Sequence, residues 1–320
     1  MTESELIDRI SQREKRAIAR GLTLIERDTE EGKKLVRALF PHAGHTHIVG
    51  ITGAPGVGKS TLVNSLTLAL RKQGLTVGIL AVDPSSPFTG GAILGDRIRM
   101  QDSVMDAGVF MRSLASRGHL GGLSRATFGA VTLLDAAGFD VVLIETVGAG
   151  QSEVEIMKLA QSTMVVLAPG LGDDIQAIKA GILEIGQIFV VNKADREGAD
   201  HTARAIRGML TLALEHPEWF PPIVKTVAET GSGLDELIDA LGRHRQHLRE
   251  TGKLALLREQ QTDHMLELAL EDLVARGVKQ ARQAADWRSV LEKVALGDEA
   301  AVDAAWAILE KLVRGRTHGA

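Results

Sequence analysis

The chain of 320 residues contains no cysteine, which excludes a disulfide framework, a thiolate metal centre and a thiol nucleophile. It has no basic excess either: 37 lysines and arginines stand against 41 acidic residues, for a formal charge of −4. A nucleic-acid or anionic-membrane partner calls for a basic face, so neither is expected. Long apolar runs are missing. VVLI and MVVLA fall far short of the ~20 residues a membrane helix needs and read as buried strands. The opening MTESELIDRI lacks the basic and apolar regions of a signal peptide, so a cytoplasmic location is expected. Proline is absent from both ends: all eight lie between Pro41 and Pro222. Residues 1–40 and 223–320 are therefore free to be helical around a middle rich in turns. With 44% hydrophobic residues a sizeable core is available.

What is present falls into three parts. In the first, Leu6, Ile10, Leu35, Val36 and Leu39 recur at helical spacing, and Thr2 with Glu5 has the pattern of a capping box. The middle alternates helical patterns with the short β-rich runs HIVGI, VGILAV, FDVVLI, TMVVLA, QIFVV and PPIVKTV. Near-continuous apolar strands between helices need cover on both faces, which predicts an α/β domain on a mainly parallel sheet. From about residue 251, Leu266, Leu270 and Leu273, then Val290 and Val294, then Val302, Trp306, Leu309 and Val313 trace amphipathic helices. The expected division is a helical extension over 1–42, the α/β domain over 43–250 and a helical arm over 251–320.

The chemistry starts directly after HIVGIT. GAPGVGKS, comprising Gly53, Ala54, Pro55, Gly56, Val57, Gly58, Lys59 and Ser60, satisfies G-x-x-x-x-G-K-[ST] on a strand-to-helix turn, and Thr61 joins it as a nucleotide contact. Glycines let successive backbone N–H groups converge on phosphate oxygens, and the helix N-terminus adds its dipole. Lys59 is placed to bridge β- and γ-phosphates and Ser60 to ligate Mg²⁺. Further on, Asn192-Lys193-Ala194-Asp195 follows a strand as N-K-x-D. The Asp195 carboxylate would accept from guanine N1–H and the 2-amino group, donors that adenine lacks at that edge, so GTP and GDP are favoured over ATP. Val227, Ala228 and Glu229, after the last strand, stand where backbone N–H groups would meet guanine O6.

An acidic metal residue is expected at the end of a strand beside the P-loop strand. Glu145 holds that place, with Gly148 three residues on as a γ-phosphate sensor. Asp83 closes another strand, read as adjoining the P-loop strand, and the run AVDPSSPFTGGAILGDRIRM that follows carries Asp96 as a second carboxylate for Mg²⁺ or the attacking water. Gln151 stands three residues beyond Gly148 rather than next to it and receives no water-positioning role. PGLGDDIQAIKAGILEI opens a helix at Asp173 and Asp174 that carries Lys179, either as a second nucleotide-responsive segment or as simple capping. His42, His45 and His47 in HAGHTH would be metal ligands or solvated loop residues. Arg97, Arg99, Arg112 and Arg117 are candidate phosphate or coenzyme contacts, or solvated surface.

Taken together, GAPGVGKST, AVDPSSPFTGGAILGDRIRM, ETVGAGQSE, GDDIQAIKAG and NKAD resemble the MeaB/ArgK family of methylmalonyl-CoA-mutase-associated G-protein chaperones over almost the whole chain. The resemblance implies a homodimeric P-loop GTPase of the SIMIBI class that binds an adenosylcobalamin-dependent acyl-CoA mutase. It would gate cofactor loading and protect or rescue the mutase using GTP. It also implies that Asp83, Asp96 and Glu145 surround Mg²⁺, that Asp173 to Glu184 form an extra switch facing the mutase, and that the C-terminal arm dimerises. Gly186-Gln187 and Ala149 depart mildly from the family pattern. No Asp-x-His-x-x-G cobalamin motif occurs, so cobalamin would belong to the partner. Two rival functions are an ATP-dependent small-molecule kinase, against which N-K-x-D argues, and a metal-insertion GTPase, for which HAGHTH is the support.

Overall fold

In a computed structural model the structure describes residues 2–83, 106–115, 122–146, 157–170, 185–215, 217–284 and 286–317. The chain divides into two compact units, Met1–Arg258 and Glu259–Ala320.

The first unit opens with three helices, α1 (Glu3–Ser11), α2 (Lys15–Glu26) and α3 (Glu30–Leu39). The capping box forms as its spacing predicts: the Glu5 N–H donates to Thr2 Oγ1 (3.2 Å) and the Thr2 N–H to Glu5 Oε2 (2.9 Å). Thr29 caps α3 in the same manner through the Gly32 N–H at 3.0 Å. Ile10, Ile18, Leu22, Leu35 and Leu39 are buried with Leu133 and Leu134 of α5 (Gly122–Ala136), so the N-terminal helices complete a core they share with the sheet.

That sheet has seven described strands: β1 (His47–Thr52), β2 (Val77–Asp83), β3 (Val109–Ala115), β4 (Val141–Thr146), β5 (Ser162–Leu167), β6 (Ile188–Val191) and β7 (Ile223–Lys225). Their order is β3-β2-β4-β1-β5-β6-β7, and every described pairing is parallel. Strands β1, β4, β5 and β6 are buried along their whole length. Parallel strands covered on both faces have such mainly apolar centres, with the polar residues at their ends. Alternate residues serve opposite cores. Val49, Ile51, Met164, Val166, Ile188 and Val190 meet α4 (Lys59–Lys72) and α7 (Leu234–Glu250). On the other face, Val165, Leu167, Phe189 and Val191 meet α6 (Ala199–Ala213).

Two features differ from the sequence reading. Strand β3, which no apolar run announces, has Arg112 and Ser113 at its middle. It holds because Arg112 pairs with Glu26 of α2 at 2.6 Å and reaches Thr23 Oγ1 at 3.3 Å. That contact also assigns Arg112 to packing of α2 rather than to a coenzyme. The order of the strands is the second difference. β4 lies between β1 and β2, so the strand ending in Asp83 is the second neighbour of the P-loop strand and not its immediate one.

The second unit holds the greater part of α8 (Lys253–Gln283), with α9 (Trp287–Leu296) and α10 (Ala301–Thr317). Leu268 and Ala304 are buried there, whereas Leu266, Leu270, Val274, Leu291, Leu296 (77% exposed), Val302 and Trp306 (61%) face outward. Among the described residues no helix is long and apolar enough to cross a membrane.

Candidate functional site

Strand β1 lies where the sheet's connectivity reverses direction, between β4 on one side and β5 on the other. The crevice beyond the carboxyl ends of such strands is the usual ligand position in an open parallel sheet. Gly53 to Gly58 fill it, leading from β1 into α4. Gly53 has φ +143°, and a Cβ there would lie 2.1 Å from the Val166 carbonyl oxygen of β5, so the loop approaches its neighbour more closely than any side chain permits. Gly58, at φ +94°, caps α4. Lys59 is the first residue of that helix and is buried; its ammonium donates to the carbonyls of Gly53 (2.5 Å) and Ala54 (3.2 Å), across the mouth of its own loop. Pro55, Gly56 and Thr61 are exposed, and Val57 anchors the loop in the core.

Ser60 and Glu145 meet in front of the loop. The Ser60 hydroxyl donates to Glu145 Oε1 at 2.6 Å, and Glu145 is 2% exposed. The parallel register that pairs Glu145 with Ile51 brings them together. Two hard oxygen donors at this spacing suit Mg²⁺, which takes few protein ligands and completes its shell with phosphate and water. The residues present therefore fit a magnesium ion.

At the end of β6, the Asn192 side chain joins two loops. Its Nδ2 donates to the Val57 carbonyl of the P-loop at 2.9 Å, while its Oδ1 accepts from the Ala228 N–H at 3.1 Å and the Thr226 hydroxyl at 3.2 Å. Lys193 adopts a left-handed conformation (φ +57°), which turns its ammonium onto the Gly56 carbonyl at 2.7 Å. The Ala194 N–H bonds to the Thr226 carbonyl at 3.0 Å, leaving Asp195 exposed at the lip. Phosphate loop, N-K-x-D turn and the Val227 to Glu229 loop therefore form one hydrogen-bonded edge.

A family model described as methylmalonyl Co-A mutase-associated GTPase MeaB matches residues 18–283. The chain belongs to the MeaB family of GTPases. Among its relatives, a putative GTPase of Pyrococcus horikoshii is 48% identical over 97% of this chain and 98% of its own length. The GTPase ArgK of Escherichia coli is 39% identical over 85% of each. A crystal structure of a LAO/AO transport system kinase superposes with a TM-score of 0.72 at 26% identity, covering 97% of both chains. As a MeaB GTPase the chain hydrolyses GTP on an α/β P-loop fold, and its P-loop edge is the part with the chemistry to do so.

The other predicted residues separate. Asp83 is placed by its backbone at the end of β2, one strand further from β1 than its neighbour reading required; its side chain lies outside the described residues. Asp96, Arg97, Arg99, Arg117, Gly148, Ala149, Gln151, Asp173, Asp174, Lys179 and Glu184 lie outside the described residues altogether. HAGHTH does not converge. His42 and His45 are exposed, while His47 begins β1 and turns its buried ring to Ser162 Oγ at 2.8 Å. Among the described residues no group of three or more histidine, cysteine or acidic side chains is arranged to hold a metal ion. Two contributors escaped the sequence reading. Thr226 bonds Asn192, and Ser65, a hydroxyl between the buried Leu62 and Leu66 of α4, bonds the Ala228 carbonyl at 2.6 Å. No motif marks either; an isolated hydroxyl beside apolar helix positions is the available signal.

Proposed function

We propose that this GTPase is a Mg²⁺-dependent GTP/GDP switch that binds an adenosylcobalamin-dependent acyl-CoA mutase, gates loading of the mutase's cofactor, and protects or reactivates it as a cytoplasmic homodimer. The matching family's description, which names a methylmalonyl Co-A mutase, supports the partner. The observation that carries the switch is the shared edge held by Asn192, which joins the phosphate loop to the loops proposed to read the base.

In this reading the backbone N–H groups of Gly53 to Ser60 hold the phosphates, and Lys59 neutralises charge that develops on the transferred group. Ser60 and Glu145 hold Mg²⁺, joined by Asp83 and Asp96, and the Gly148 N–H senses the γ-phosphate. When bound, Mg²⁺ supplies electrostatic stabilisation of the phosphate oxygens. Asp195 reads guanine N1–H and the 2-amino group, and Val227 to Glu229 read O6. The apolar faces of α8 and α10 support dimerisation of the arm, since single helices leave such area uncovered. The test is capture from the native cell. Chain loaded with a non-hydrolysable GTP analogue or with GDP is expected to retain an acyl-CoA mutase, identified by mass spectrometry, in one nucleotide state more than in the other. Guanine-nucleotide-loaded chain that retains no such mutase in either state overturns the partner.

A further inference from the structure

Ser65 is not part of any nucleotide motif, yet its hydroxyl crosses from α4 to donate to the Ala228 carbonyl oxygen at 2.6 Å. Four other N–H groups of that loop have partners. The Val227 N–H goes to the Ser232 carbonyl at 3.0 Å, while the N–H groups of Thr230 (3.1 Å) and Gly231 (2.9 Å) go to the Val227 carbonyl. The Ala228 N–H goes to Asn192 Oδ1 at 3.1 Å. Among the described residues no acceptor takes the Glu229 N–H, and Glu229 is exposed. The peptide joining Ala228 to Glu229 is trans, so its C=O and N–H point in opposite directions. A carbonyl drawn down onto α4 by Ser65 therefore turns the Glu229 N–H away from α4.

We infer that Ser65 is a positioning residue for base recognition: by holding the Ala228 carbonyl it presents the Glu229 N–H as the donor to guanine O6. This rests on the reading of Val227 to Glu229 as the O6 loop. Without Ser65 that peptide is free to rotate, and the donor loses its fixed direction while the phosphate loop and Asp195 are untouched. Guanine is then tested by two separate kinds of contact. Asp195 tests for the donors on N1 and the 2-amino group, and the Ser65-held peptide tests for the acceptor at position 6.

The experiment compares binding of GDP with GDP whose O6 is replaced by sulfur, a weak acceptor that keeps N1–H and the 2-amino group. Both are titrated against the full-length chain and its Ser65→Ala variant. The ratio of the two affinities within each protein cancels any loss of folded fraction. The expected result is that Ser65→Ala narrows the preference for GDP over the thio analogue about three- to tenfold, the worth of one hydrogen bond. An unchanged ratio overturns the positioning role alone. A wild-type chain that binds ADP as well as GDP overturns the guanine reading and this inference with it.

Discussion

Acid is expected to loosen this protein at the pole of the sheet opposite the nucleotide edge. His47 and Ser162 are the first residues of β1 and β5, and Ser162 Oγ is shared between His47 Nε2 and His244 Nδ1, each at 2.8 Å. One serine proton cannot satisfy two acceptors, so one ring accepts it and the other donates its own N–H. The accepting ring must be neutral for this to hold, and burial disfavours the charged form of the other. Burial is the first cause in each case: it pushes His47 down to about 3, helped by Arg245, His244 and Arg249, and His244 down to about 4, helped by His247. Trp219 packs against His244 with ring centroids 4.9 Å apart. Since both folded values are lowered, the unfolded chain binds protons first as pH falls below the ordinary histidine value, and stability is lost from there down to the folded values. Between pH 7 and about pH 5.5, linkage gives about 1.2 kcal/mol per ring, or about 2.4 kcal/mol together. For a unit of this size that is roughly 5 °C in melting temperature. Thermal melts of wild type and of His47→Gln/His244→Asn across this range isolate the effect. The double variant keeps hydrogen-bonding groups without a titrating ring, so it is expected to start lower and fall less steeply by about the stated amount. Parallel profiles for the two proteins would refute the argument.

Four further outcomes follow from named contacts. Lys59→Ala, which removes the buried ammonium at the loop mouth, is expected to lower single-turnover phosphate release from GTP by at least about 100-fold; a rate within a fewfold of wild type would refute that role. Gly53→Ala drives a Cβ into the Val166 carbonyl and is expected to cost about 2 to 4 kcal/mol in denaturant unfolding, with loss of nucleotide binding. Asp195→Asn should reduce the preference for GTP over ATP about tenfold or more in competition binding; an intact preference means the base is read elsewhere. Leu270→Glu combined with Trp306→Glu should shift the chain to monomer in sedimentation velocity while GTP turnover persists.

The strands easiest to read were those whose environment is simplest. The strands of HIVGI, FDVVLI, TMVVLA and QIFVV are buried on both faces, so their central residues are apolar and the run stands out. β3 did not, because its middle carries a charge neutralised by a partner 86 residues away, and no local pattern encodes a distant ion pair. PPIVKTV shrinks to Ile223–Lys225 because Pro221 and Pro222 have no N–H to give the ladder, although the Pro222 carbonyl still accepts from Phe189 at 2.9 Å. The phosphate loop was legible since its geometry demands glycine at fixed places. Strand order was not: a neighbouring position in the sheet depends on which crossover lands where, and β4 enters between β2 and β1 without any mark on the residues of β2. The dual hold of Asn192 was equally hidden, because its partners Thr226 and Ala228 arrive only when β7 pairs with β6.

In the proposed nucleotide site Asn192 is a common hinge pin for the two ends of the ligand. One amide holds the phosphate loop with its nitrogen and the loop proposed to read the base with its oxygen, so neither grip tightens or slackens alone. Guanosine and inorganic triphosphate offered separately would each leave half of that arrangement unbraced, and the whole nucleotide is expected to bind more strongly than its fragments add up to.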